Sequence, residues 1–210
     1  MKIISHRGYW QKIEEKNSSV AFHRSFALGF GTETDLRDLD GEIVVSHDPP
    51  RSDSGIISFV QLLEMFCAYD PTLPLALNIK ADGLQKPVAK LLQAWNINNY
   101  FLFDMSVPDL LVSQRANLIC YTRQSEFENI PSLYERAKGV WMDEFFDPWI
   151  SIDSIKGHID NGKEVCIVSP ELHGRDPVER WSFLESLPSS IQEKCTICTD
   201  LPEKARDYFG

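Results

Sequence analysis

Between Glu33 and Pro50 the chain reads ETDLRDLDGEIVVSHDPP. Two acids two residues apart lead into a turn, and an apolar run leads out of it to His47-Asp48. A surface hairpin needs alternation and a turn; it does not need carboxylates on one arm and an imidazole at the end of the other. Two more clusters have chemical character: His6-Arg7-Gly8 closes the first apolar run, and Asn78-Ile79-Lys80 closes another. In an extended strand residues i and i+2 share a face, so Glu33 and Asp35 point one way, as do Asn78 and Lys80. Two carboxylates and an amide oxygen are hard ligands. They suit Mg²⁺ or Ca²⁺, with Mn²⁺ an alternative, rather than zinc. His6 and His47 add two imidazoles, and Arg7 and Lys80 add positive charge. Such a set fits scission of a phosphate ester. The cation polarises the phosphoryl oxygens, one histidine takes a proton from the nucleophile, and the other protonates the leaving alkoxide.

These residues need a scaffold that brings distant segments together, and the sequence supplies a rhythm for one. Short β-branched or aromatic runs stand at 2–5, 32–36, 75–80, 100–103, 118–122, 139–143, 164–169 and 195–199. Helical periodicity fills the gaps, in SSVAFHRSFAL after Asn17 or Ser18 as cap, SFVQLLEMF from Ser58, LQKPVAKLLQAW, VPDLLVSQ, IPSLYERA, PWISIDSIKGHI, PVERWSFLESL and LPEKARDYF. Eight strand–helix units predict a parallel sheet, and their number predicts a single lean (β/α)₈ barrel over residues 1–210. A doubly wound open sheet is the rival, but it wants a glycine-rich phosphate loop after the first strand, and SHRGYW is not one. Asp40-Gly41 is a tight-turn signal, so the second strand turns back through a small hairpin that carries His47 to the rim. Chemistry in a barrel sits at the C-terminal strand ends, and consecutive strands are neighbours. The clusters at His6, Glu33, His47 and Asn78 therefore share one sector of the mouth.

Composition is that of a globular protein: 210 residues, 43% hydrophobic and 25% charged. The net charge of −10 argues against nucleic acid or an anionic membrane as partner. It leaves room for a small phosphodiester, since a bound divalent cation reverses the field locally. MKII is too short for a signal-peptide core, and no apolar run has membrane-spanning length. A cytoplasmic protein without stable membrane insertion is the expectation; its oligomeric state is not written in the sequence. The five cysteines fit buried free thiols, since Cys195 and Cys198 in one strand face opposite ways.

The N-terminal part resembles the glycerophosphodiester phosphodiesterase family. The likeness is carried by HRG (6–8), NSSVAF (17–22), GTETDLRDLDGEIVVSHD (31–48) and NIK (78–80), with TDLPE (199–203) echoing the terminal strand motif. The first 80 residues follow the family in order, and the middle follows it in strand–helix rhythm. The resemblance implies a divalent-metal phosphodiesterase on a TIM barrel. His6 and His47 would be the acid–base pair, Glu33 and Asp35 the metal carboxylates, and Arg7 and Lys80 the phosphate contacts. Attack would come from water or from a neighbouring hydroxyl of the substrate. The sequence departs from the family at Asn78, where Glu is usual, and at Lys16, where another Glu is usual. The stretch DPPRSDSG after His47 is short, which would leave the site more open. CIVSPELHG replaces the usual aromatic motif of the seventh strand.

Rival functions remain at this stage: a lyase-like phospholipase of the same superfamily releasing a cyclic phosphate, a Schiff-base aldolase using Lys80, or an inactive phosphate-binding barrel. Outside the sector, His23 and His158 read as surface or helix-end residues and Trp141 and Trp149 as packing. His173 lies in a loop from which it could reach a substrate, and Asp143 could face the mouth.

Overall fold

The computed structural model of the chain describes residues 1–51 and 55–210. Among the described residues nine strands form one sheet: β1 (Lys2–His6), β2 (Gly31–Leu39), β3 (Glu42–Val45), β4 (Leu75–Ile79), β5 (Tyr100–Phe103), β6 (Tyr121–Gln124), β7 (Gly139–Met142), β8 (Glu164–Val168) and β9 (Cys195–Thr199). Eight of them run parallel in the order β5-β4-β2-β1-β9-β8-β7-β6, and β3 pairs antiparallel with β2. The two ends meet at the bridge Leu102–Cys120, where the Leu102 N–H donates to the Ile119 carbonyl at 2.8 Å. The sheet thus closes as a (β/α)₈ barrel, thinly at that seam.

The described residues include eight α-helices outside it: α1 (Ser19–Ala27), α2 (Phe59–Tyr69), α3 (Gln85–Ala94), α4 (Val107–Arg115), α5 (Ile152–Asp160), α6 (Val178–Glu185), α7 (Ser189–Gln192) and α8 (Pro202–Phe209). Four of these, α1, α2, α4 and α5, start at a serine whose side chain caps them. Ser18 caps α1 and Ser106 caps α4, and Ser58 closes a capping box with Gln61 at α2. IPSLYERA departs from expectation. It forms a single 3₁₀ turn at Tyr134–Arg136, preceded by Leu133 in the left-handed region at φ 52°. Pro131 and that left-handed residue leave too little chain for an α-helix between β6 and β7. The expected strand at 118–122 lies slightly later, at Tyr121–Gln124.

The Asp40-Gly41 loop has both residues at positive φ (50° and 88°), the two-residue hairpin turn that its sequence signals. The core has three parts. One packs α1–α4 on the outer faces of β2, β4 and β5, and a second packs α5–α8 on β7–β9. The third fills the barrel with Ile4, Ala76, Phe101, Phe103, Tyr121, Trp141, Cys166, Val168 and Cys198. Phe101 stacks on Tyr121 at 3.8 Å between ring centroids and Phe103 on Trp141 at 3.9 Å, so Trp141 is a packing residue as expected. Cys195 belongs to the outer layer and Cys198 to the barrel interior, so the pair faces opposite ways; both thiols are free. Among the described residues no helix is long and apolar enough to cross a membrane.

Candidate active site

Strand parity builds the site. Ile4, Ala76, Trp141 and Cys198 point into the barrel. Two residues further along the same strands come His6, Asn78, Asp143 and Asp200, on the same side and nearer the C-terminal mouth. Register adds the acids of β2: His6 stands beside Glu33, and Asp35 beside Asn78. The sector expected from sequence is therefore contiguous, on β1, β2 and β4.

Its floor is a turn that glycine permits. After β1 the chain passes through Arg7 (φ 58°) and Gly8 (φ 80°). A Cβ at Gly8 would lie 2.8 Å from that of Ala21 on α1, so both the torsion and the close approach require glycine. The Gly8 N–H donates to Thr32 Oγ1 at 3.0 Å, while the Arg7 N–H reaches both the Glu33 carbonyl (3.0 Å) and Glu33 Oε2 (3.1 Å). Arg7, Asn17 and Asp104 are non-glycine residues held in the left-handed region around this mouth. Such strain persists where surrounding contacts over-determine it.

Glu33 is 2% exposed and Asp35 is fully buried. Burial, and then the neighbouring Asp35 charge, push the Glu33 carboxyl well above the usual carboxylate range; Arg7 and Lys80 oppose the shift. Asp35 Oδ2 accepts from Asn17 Nδ2 at 2.8 Å and meets Arg7 Nε at 3.0 Å. Asp35 Oδ1 lies 3.7 Å from Lys80 Nζ, which also pairs with Asp104 Oδ2 at 3.3 Å. Asp104 in turn binds Arg123 at 2.7 Å, and Arg123 binds Glu128 at 3.1 Å. A ladder of alternating charges thus runs around the mouth from β2 to the loop after β6.

The imidazole of His6 has its Nδ1 2.8 Å from Asp200 Oδ1, which also accepts from Trp10 Nε1 at 3.2 Å. A carboxylate accepts and does not donate, so the proton sits on Nδ1. Nε2 then faces the site with a free lone pair, 4.0 Å from Glu33 Oε2. Burial lowers the His6 pKa and Asp200 works against that shift. Asp200 was not singled out from sequence, although TDLPE contains it. Its backbone N–H donates to Glu171 Oε1 at 3.1 Å, so the PELH segment after β8 helps to place it. Lys16 also stands at the mouth, 3.8 Å from Asp200 Oδ2 and 4.5 Å above the Trp10 ring.

His47 lies at the end of the hairpin, exposed, with Nδ1 2.9 Å from Asp48 Oδ1 and its carbonyl held by Arg37 Nε at 2.9 Å. It joins the cluster through a cavity of about 500 Å³ that it lines together with Arg7, Lys16 and Asn17. The stretch DPPRSDSG lies in part outside the described residues. Elsewhere, His158 is buried rather than at a solvated helix end: it takes Tyr134 on Nδ1 (2.9 Å) and Gln124 on Nε2 (2.7 Å). His173 Nε2 pairs with Asp143 Oδ1 at 2.7 Å, at the opposite side of the mouth.

A hard divalent cation fits the donor set. Asp35 Oδ1 and Asn78 Oδ1 sit on adjacent, register-paired residues, both buried and both without a hydrogen-bond donor. With Glu33 they offer three oxygens, the chemistry of Mg²⁺ or Ca²⁺. Among the described residues no group of three or more His, Cys, Asp or Glu is arranged for a metal, so the fit rests on two carboxylates and the Asn78 amide oxygen.

The whole barrel matches known structures. It superposes on a Galdieria sulphuraria protein provisionally named a glycerophosphodiester phosphodiesterase, with a TM-score of 0.76 at 17% identity over 99% of this chain and 97% of that one. The fold is that of the glycerophosphodiester phosphodiesterases. The Agrobacterium tumefaciens glycerophosphodiester phosphodiesterase matches with TM-score 0.70 and 16% identity, over 100% of this chain and 98% of its own. An Oleispira antarctica phosphodiesterase, solved with its product sn-glycerol-3-phosphate, matches with TM-score 0.71 and 16% identity, over 99% and 96%. No protein-family model and no curated protein matches the sequence. At these identities the likeness is one of fold, and it bears out the resemblance seen in the N-terminal motifs at that level.

Proposed function

We propose that the chain is a divalent-cation-assisted phosphodiesterase acting on glycerophosphodiesters or related alcohol–phosphate–alcohol compounds. One observation carries the reading. Two buried oxygens, Asp35 Oδ1 and Asn78 Oδ1, stand side by side without a donor, in the sector where His6 presents a free Nε2. The sn-glycerol-3-phosphate bound to the Oleispira phosphodiesterase of the same fold supports the substrate class.

Glu33, Asp35 and Asn78 would hold Mg²⁺ or Ca²⁺, with Mn²⁺ the alternative. When bound, such an ion supplies Lewis-acid charge to the phosphoryl oxygens. Arg7 and Lys80, both held against Asp35, bring two fixed cations to the same place and bind the non-bridging oxygens. His6 takes the proton of the attacking water on Nε2, while Asp200 holds the ring by Nδ1 and stabilises the imidazolium that forms. His47, on the exposed side of the shared cavity where Asp48 is its partner, gives a proton to the departing alkoxide. Lys80 acts here as a cation bridging Asp35 and Asp104 rather than as an amine nucleophile.

The test is turnover of bis(p-nitrophenyl) phosphate and of glycerophosphodiesters with Mg²⁺, Ca²⁺ or Mn²⁺ against chelator, with products read by phosphorus NMR. Cation-dependent release of a phosphomonoester is expected. A cyclic phosphate would make a substrate hydroxyl the nucleophile, and absence of turnover with every ion would leave a binding barrel.

A further inference from the structure

The loops after β7 and β8 and the first two turns of α6 enclose a cavity of about 510 Å³, which shares no lining residue with the one at His47. Its size is that of a small-molecule site. Phe146, Pro148, Ile150, Pro170 and Phe183 give it apolar walls, and two guanidinium groups, Arg175 and Arg180, stand among them. Arg180 is buried and its charge is answered: Nη2 donates to Glu144 Oε1, and Nη1 donates to the Ile150 carbonyl at 2.8 Å. Arg175 is half-buried, and its Nη2 donates only to the Glu144 carbonyl. Among the described residues it has no carboxylate within ion-pair distance. Its Nε is buried without an acceptor, as is that of Arg180.

Two guanidinium groups against the one buried carboxylate of Glu144 leave a single positive charge in the wall. Asp176 and Glu179 also line the cavity, but both are exposed, where water and salt screen them, and Asp176 Oδ1 accepts the Val178 N–H at 2.9 Å. The guanidinium groups feel each other: burial lowers the Arg180 pKa, Glu144 opposes that shift and Arg175 adds to it. An anion beside them relieves the repulsion. Arg180 Cζ lies 4.9 Å from the Phe183 ring centroid, so charge and aromatic surface stand side by side. A guanidinium fork matches a carboxylate. One uncompensated charge suits a monoanion rather than a phosphate dianion, and the apolar walls suit a body without polar groups. We propose that this cavity is a second binding site, separate from the acid–histidine sector, for a small monocarboxylate carried on an apolar, ring-sized body.

Benzoate, benzyl alcohol, acetate and phenyl phosphate separate these requirements when titrated against the full chain in chelator and followed by protein NMR shifts. Benzoate should bind saturably, with a Kd of about 1 mM. Benzyl alcohol, which lacks the charge, and acetate, which lacks the body, should each bind about tenfold more weakly or worse. Phenyl phosphate should also bind more weakly than benzoate. Nuclear Overhauser contacts from the benzoate ring should fall on Phe146 and Phe183. Arg175→Gln, shown to be folded by circular dichroism, should weaken benzoate by about tenfold or more, and Arg175→Lys by less. His47→Ala should leave the affinity within about twofold. Absence of saturable binding, benzoate no tighter than acetate or benzyl alcohol, or a preference for phenyl phosphate overturns the proposal. An affinity unchanged in folded Arg175→Gln, or lost in His47→Ala, overturns it too. Should Arg175→Gln not fold, the ring contacts decide in the native protein, and contacts confined to residues outside the cavity sink the site.

Discussion

The two halves of the barrel mouth are built on opposite plans. On β1, β2 and β4 the inward residues nearest the mouth are half-buried His6 and buried Glu33, Asp35 and Asn78, of which Asp35 and Asn78 each keep an oxygen without a donor. On β6, β7 and β8 the corresponding positions are matched to each other: Asp143 with His173, and Arg123 with Asp104 and Glu128. The barrel interior beneath shows the same contrast. β1 and β4 contribute the aliphatic Ile4 and Ala76, whereas stacked aromatics fill the space around β5, β6 and β7. One half brings unpartnered oxygens together on neighbouring strands; the other pairs its mouth residues with each other and presents apolar loops above. Buried polar atoms without partners are disfavoured in proportion to the desolvation they suffer. Such atoms occur in both halves, but those of the second belong to Glu126, Glu144, Arg175 and Arg180, of which Glu144 and Arg180 pair with each other, whereas Asp35 and Asn78 present two oxygens on adjacent, register-paired positions.

The largest effect that can break this comparison is catalytic. His6→Ala and His47→Ala should each lower phosphodiester turnover by roughly 10²–10⁴-fold, the usual range for a lost acid or base. His173→Ala, also a mouth histidine paired to a carboxylate at 2.7 Å, should change turnover of a polar diester by less than about threefold. Steady-state kinetics with circular dichroism to verify folding decides it. Equal losses at His6 and His173 would erase the distinction between the halves.

The next effect is thermodynamic. If Glu33, Asp35 and Asn78 bind the ion, a divalent cation at 100 times its Kd should stabilise the fold by about 2.7 kcal/mol. Thermal unfolding reads this without turnover. Asn78→Glu should lower the cation midpoint by adding a carboxylate, and Asn78→Ala should raise it. An unfolding temperature indifferent to all three ions would place the unfilled oxygens outside any cation site. Asp200→Asn comes third, with a loss of about 10–100-fold in kcat at an unchanged cation midpoint. An amide at that position can donate to Nδ1 and so present the wrong tautomer of His6. A parallel loss of cation binding would instead make Asp200 a support of the carboxylates.

Much of the first half was legible because a strand has a period of two. Glu33 and Asp35, and Asn78 and Lys80, announce a shared face before any fold is known, and Ser58 and Asp40-Gly41 announce a helix start and a hairpin by local chemistry alone. The partners were not legible. Asp200 reaches His6 across 194 positions of chain, and Asp104 meets Lys80 across 24, contacts set by barrel closure and not by any local pattern. The turn at Tyr134–Arg136 was misread as a helix because its composition is helical while Leu133, in the left-handed region, stops the propagation. His158 was misread because a helix end looks solvated in sequence. Here that end packs against Tyr134 and Gln124 from the β6–β7 side.

His158 gives the smallest effect and sharpens the contrast between histidines that work and histidines that hold. Gln124 Oε1 accepts from Nε2–H, and Tyr134 donates to Nδ1, so the neutral ring is fully satisfied. Burial lowers its pKa below the ordinary 6.5. In the window between that lowered value and 6.5 the unfolded chain binds the extra proton and the folded chain does not, so stability rises with pH there. The contribution is complete above pH 6.5 and is lost as the pH falls through the window. His158→Gln removes this proton uptake, and the difference between native and variant in urea unfolding at several pH values isolates it from His6, whose shift has the same direction. The native slope should exceed that of the variant within this window and match it above pH 6.5. Parallel slopes would mean that His158 titrates alike in the folded and unfolded chain, and a native slope below that of the variant would mean that the ring is protonated in the fold, with Gln124 and Tyr134 both accepting from it, so that the second half of the mouth rests on a buried charge after all.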